Sequence, residues 1–150
     1  MKKIVTTLLL ILWVVLILFL SFQNGKDTAK TSFGFTHALL RFFLKKEPDY
    51  NMLLVWNGRF RLWAHFVIFL IYGMFSVLVI KGYGVRLNRA FLTGFLSGIF
   101  FAVVSETGKL MIEGRHCDFG EMRLNIMGVL LGTLLTAAFL YKYSRNCLYQ

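Results

Sequence analysis

The sequence predicts an all-α, polytopic membrane protein, a four-transmembrane-helix bundle, and three observations carry that expectation. Apolar residues make up 57% of the 150 residues and charged residues only 16%. The charges gather between long apolar runs instead of dotting every helix face. Those runs approach the ~20 residues that a hydrocarbon core ~30 Å thick demands of a helix. A soluble domain of this length would need polar residues on each helix to meet water, and the runs hold almost none.

The first span, 4–22, follows Lys2 and Lys3. Its apolar stretch is too long for the core of a cleaved signal peptide, and no small-x-small site precedes Asn24, so the segment is expected to stay. Next, Phe35, Ala38, Leu39, Phe42 and Phe43 recur at helical spacing, with Arg41, Lys45 and Lys46 on the other side. Pro48 ends the pattern. An interfacial helix over 33–46 on the outer leaflet fits, as does a loop segment covering the bundle's outer mouth, and both can hold. The second span, 62–80, lies between Arg61 and Lys81. The third, 88–109, is apolar from Ala90 through Val104 and carries Glu106 in its last turn. The fourth runs over 123–141.

Lysine and arginine set the orientation. Lys2 and Lys3, the short 81–89 turn with Lys81, Arg86 and Arg89, and the tail with Lys142 and Arg145 are all placed inside. Both termini are then cytoplasmic, and the acidic 105–123 connection is outside. The first loop, rich in Lys and Arg, resists this assignment, but three short signals outweigh one long loop. The net charge of +10 is read as juxtamembrane charge meeting anionic lipid, with no nucleic-acid partner. Cys117 and Cys147 have no metal-type spacing, and on this topology they lie on opposite sides of the bilayer.

Polar residues inside the spans are the informative ones. Gly94, Gly98, Ala102 and Glu106 form one stripe on the third helix. Gly128, Gly132 and Thr136 form another on the fourth, continuing back through Asn125 and Glu121. Small residues at that spacing allow close helix approach, and the two stripes are expected to face each other. Arg61 and His65 on the second helix, Glu106 and Asn125, and Ser21 and Gln23 then share one depth below the outer surface. Each has a bland explanation alone: Glu106 paired with Lys109 or Arg115, Asn125 a packing amide, His65 structural. Together, with Arg115, His116 and Asp118 adjoining, they point to a site, because intramembrane charge is expensive unless it is used.

The run from Glu106 through Gly-Arg115, Asp118, Glu121 and Asn125 to Gly128 resembles the VanZ-like signature. Ser21 and Gln23 after the first span, and Arg61 with His65 opening the second, look like that family too, so the resemblance covers most of a single VanZ-like membrane domain, 1–150. Two positions depart from it: Lys109 stands where many members have Gln, and Glu121 where many have Asp. The resemblance implies a small bacterial cell-envelope protein associated with resistance to the glycopeptide teicoplanin. It supplies no mechanism.

Three functions compete. The first is lowered susceptibility to a glycopeptide or lipoglycopeptide antibiotic, through an outward-facing pocket that binds a membrane lipid or lipid-linked envelope compound. Its ligand-binding candidates are Gln23, Arg61, His65, Glu106, Lys109, Arg115, His116, Asp118, Glu121 and Asn125, with Arg61, Lys109 and Arg115 on an anionic head. The second is lipid phosphate or acyl chemistry, with Glu106, His65 or Asp118 as catalytic candidates. A metal version would use His65, Glu106, His116 and Asp118, but no HExxH or comparable pair appears, so no metal and no cofactor is expected. The third is a small transport or assembly subunit, for which four helices are few unless the glycines support a homodimer.

Overall fold

Three capping residues divide the chain into its helices. The Asn24 side chain accepts from the Asp27 N–H at 2.8 Å and opens a helix. Asp49 accepts from the Asn51 N–H at 3.2 Å and opens another. Asp118 accepts from Gly120 N–H at 2.7 Å and opens the last. Each cap satisfies a donor that the first turn leaves unpaired. The computed structural model describes residues 2–146. Its elements are α1 (Lys2–Ser21), α2 (Gly25–Leu44), α3 (Tyr50–Gly82), α4 (Leu87–Gly108, tightening into a 3-10 turn at Lys109–Met111) and α5 (Phe119–Asn146). Cys147 lies outside the described residues.

The fold is an all-α bundle in which α1, α3, α4 and α5 are long and apolar enough to cross a membrane. Two boundaries differ from the sequence reading. The helix expected over 33–46 begins at Gly25, where Asn24 caps it, and α3 begins at Tyr50 rather than at residue 62. At 1.5 Å per residue, the 33 residues of α3 span ~50 Å, well beyond a ~30 Å core. The helix is thus longer than a crossing needs, and α2 packs along its first turns. Ser32 and Thr36 of α2 both donate to the Asn57 side-chain oxygen of α3, the latter at 3.1 Å.

The central helix is α3, which packs most extensively on α5. The contact is close because glycines line it: a Cβ on Gly128 would meet the Phe66 carbonyl, one on Gly132 the Leu70 carbonyl, and one on Gly73 the Val129 carbonyl. This corrects one expectation. The α5 glycine stripe faces α3, not the stripe on α4. Gly94 lies against Ser76 and Val77 of α3, whereas Gly98 receives the Val129 side chain of α5. A small-residue stripe says that a helix comes close, and Gly73, which breaks no stripe pattern of its own, supplies the matching surface on α3.

Ile17, Phe69, Tyr72, Ala102 and Val129 form the buried core, with Phe101 stacked on Tyr72 at 5.4 Å between ring centroids. Buried hydroxyls turn back on their own helices: Ser76, Ser105, Thr133 and Thr136 each donate to a carbonyl three or four residues earlier. That satisfies them without water, as an apolar surround requires. Outward, α1 shows Ile4, Leu8, Leu12, Val15 and Phe19, a surface suited to acyl chains. At one end of the bundle, Lys3 sits over the Tyr83 ring, 5.7 Å from its centroid, and pins α1 to the α3–α4 turn. The polar residues gather at the opposite end, where α1 and α4 finish and α2 and α5 begin.

Candidate functional site

Glu106 occupies the last turn of α4, and the 3-10 turn that follows folds Lys109 back over it. The Lys109 ammonium is 2.5 Å from Glu106 Oε1 and 2.7 Å from Glu121 Oε2, in the first turn of α5. From α3, Arg61 reaches Glu121 Oε1 at 2.5 Å and His65 Nε2 reaches Glu121 Oε2 at 3.1 Å. Asn125, one turn beyond Glu121, donates to Glu106 Oε1 at 3.4 Å, and its own side-chain oxygen is buried without a partner among the described residues. Glu106, Lys109, Glu121 and Asn125 are all buried. The two carboxylates are matched by the Lys109 and Arg61 cations. Closure of that kind is what allows charge to be buried at all.

His65, Glu106 and Glu121 offer ligand atoms within 4.8 Å of one another, a spacing that could hold a metal ion. The Lys109 ammonium, bonded to both carboxylates, already stands where such a cation would sit. The donor set fits an ammonium and not a second cation beside it. Both carboxylates are engaged by cations, Glu106 by Lys109 and Glu121 by Lys109 and Arg61.

Arg115 behaves differently. It lies in the 112–118 loop, which is held against the start of α2 by a close backbone approach. Gly114 has φ +73°, a conformation that suits glycine. A side chain on Gly25 would run into the Gly114 carbonyl, and Gly25 N–H reaches the Glu113 carbonyl at 3.4 Å. This clasp lays Arg115 over α2, where its guanidinium donates to Thr28 Oγ1 at 2.6 Å. Among the described residues it has no carboxylate at ion-pair distance. Burial, with the nearby Arg61 charge, lowers its pKa from the ordinary value, while Glu121 and Glu106 oppose the shift. A guanidinium stays charged even so.

Beside the knot opens a cavity of about 370 Å³ between α1, α2 and α3. Ile17, Leu20, Phe60, Ile68 and Phe69 wall it with apolar surface. Arg61, His65, Arg115, Gln23 and the α2 hydroxyls of Thr28, Thr31, Ser32 and Thr36 supply its polar margin.

The ten candidates therefore separate into groups. Gln23, Arg61, His65 and Arg115 line the cavity. Glu106, Lys109, Glu121 and Asn125 form the knot, so Lys109 is enclosed by carboxylates rather than offered to a ligand. Asp118 caps α5, and its backbone N–H reaches Glu106 Oε2 at 3.5 Å. His116 is exposed. The α2 hydroxyls and Asn57 escaped the sequence reading. Thr28, Ser32 and Thr36, four apart on one helix face, were the signal that could have found them.

A family model described as VanZ/LLP1 matches residues 6–140. No curated protein and no solved structure matches the chain.

Proposed function

The chain belongs to the VanZ/LLP1 family, and from that premise we propose that it binds an amphiphile drawn from the membrane and so lowers susceptibility to acyl-bearing glycopeptides of the teicoplanin type. The observation that carries this reading is the cavity, apolar along α1 and α3 and polar where Arg61, Arg115 and the α2 hydroxyls meet. Its volume lies near the lower end of the ~300–1,000 Å³ typical of small-molecule sites. That space suits a head group and part of one chain, and is too small for a glycopeptide's peptide core. Protection would then come from engaging the acyl tail or a lipid-linked envelope compound. On the positive-inside rule the cavity opens to the outer leaflet, with both termini inside. Binding is favoured over catalysis because Glu106 and Glu121 are each tied to cations and Asp118 to its helix cap.

The test is susceptibility of isogenic cells with and without the chain to two glycopeptides, one with an acyl tail and one without. A rise in inhibitory concentration confined to the acylated compound is expected. Equal protection against both would remove the tail-binding reading.

A further inference from the structure

We infer that the cavity seats a monoanionic lipid head group, an oxyanion of the phosphodiester class carried on an acyl chain, between Arg61 and Arg115. This rests on the amphiphile-binding reading above and names the ligand class that reading leaves open.

Charge bookkeeping comes first. Glu106 and Glu121 are matched by the Lys109 and Arg61 cations. Arg115 is left as a surplus cation at the cavity edge, bonded to a neutral hydroxyl. A half-buried cation facing apolar walls is costly unless an anion completes it. One negative charge restores neutrality. A second would stand uncompensated close to the Glu121 carboxylate.

Donor geometry agrees. Arg61 gives one nitrogen to Glu121 and Arg115 one to Thr28, so each fork retains N–H groups for an oxyanion. The two guanidiniums are near enough for Arg61 to lower the Arg115 pKa. Like charges brought together in this way are stabilised by an anion that both can reach. Gln23 borders the same space with an amide. The apolar walls adjoin this seat, so a chain attached to the anion runs along Ile17, Leu20 and Phe69. Among bilayer components, a phosphodiester lipid whose head alcohol carries no charge, as in phosphatidylglycerol, combines a single net negative charge with acyl chains.

The purified full-length chain in a neutral detergent is titrated with lysophosphatidylglycerol, lysophosphatidylcholine or inorganic phosphate, and affinity is read from the shift in thermal midpoint. The wild type is expected to prefer the anionic lysolipid about tenfold, a difference of ~1.4 kcal/mol. That preference should shrink as salt is raised. Arg115→Gln should reduce the preference to about twofold, and Arg115→Lys should restore part of it. Inorganic phosphate alone should give no shift. Equal affinity for the two lysolipids, or a preference that Arg115→Gln leaves intact, overturns the anion seat while the amphiphile reading stands. Failure of both lysolipids to bind overturns the amphiphile reading itself. A shift with phosphate equal to that with lipid makes the ligand a free anion and overturns the lipid assignment. If Arg115→Gln fails to fold, the wild-type lipid comparison and its salt dependence still decide.

Discussion

The two faces of α3 are built on opposite principles. Toward α5, glycines bring backbone against backbone and the ion knot closes with no free carboxylate. Toward α1 and α2, the same helix borders a cavity, at whose edge Arg115 donates to the Thr28 hydroxyl and has no carboxylate at ion-pair distance among the described residues. Both faces are polar at the same end of the bundle, so in sequence they look like one cluster. The difference separates a scaffold from a site: the first face spends its charges on each other, the second leaves one to be completed. His65 and Arg61 stand at the seam, each touching Glu121 and each lining the cavity.

The harshest way to break that comparison is to open the knot. Lys109→Met removes the ammonium that holds Glu106 and Glu121 together and leaves two buried carboxylates facing each other. Removing one partner of a buried pair typically costs ~3–5 kcal/mol. Folded yield in detergent should collapse with function. A variant that melts like the wild type would show the knot to be a ligand site after all. Glu106→Gln belongs to the same class and should lower abundance in parallel.

Packing on the α5 side gives the next effect. Gly132→Leu drives a side chain into the Leu70 carbonyl of α3, whereas Gly58 has open space around its Cβ position. Overpacking costs ~1–3 kcal/mol, so Gly132→Leu should lower the thermal midpoint and Gly58→Ala should not. Gly98→Leu should act through Val129 and disturb the α4–α5 contact instead. Equal behaviour of the Gly132 and Gly58 variants would contradict the close crossing. Asp118→Ala comes third. The loss of the α5 cap should cost ~0.5–2 kcal/mol and leave the lysolipid preference unchanged, because Asp118 serves a helix end and not the cavity.

Hydropathy made the four long helices legible, since a bilayer-length apolar run has few other uses. The charged signature also marked the end of the bundle where Glu106, Lys109, Glu121 and Asn125 meet. What stayed hidden depended on pairings across long sequence distances. Arg115 meets Thr28 and Asn57 meets Ser32 and Thr36, and no periodicity encodes either pair. The start of α3 was concealed by Arg59 and Arg61, which read as the edge of a span although Pro48-Asp49 is a visible helix opening. The pairing of Lys109 was hidden for a related reason. A lysine near a Glu looks available in sequence, and only the 3-10 turn reveals that it points back between two carboxylates.

The smallest effect on stability carries the most functional weight. Arg115→Gln removes a cation that has no carboxylate partner, and glutamine keeps a donor for Thr28. Relief of the burial cost of the charge and of its repulsion with Arg61 offsets the weaker, neutral hydrogen bond that glutamine makes to Thr28. Membrane abundance should therefore match the wild type while protection against the acylated glycopeptide disappears. The knot variants cannot give that pattern, since they lose abundance and function together. Both readouts must come from the same cells, because protein level alone would mimic loss of a site. Parallel loss of abundance and protection in Arg115→Gln would make the loop clasp a structural brace. Full protection with normal abundance would leave the cavity without its anion seat.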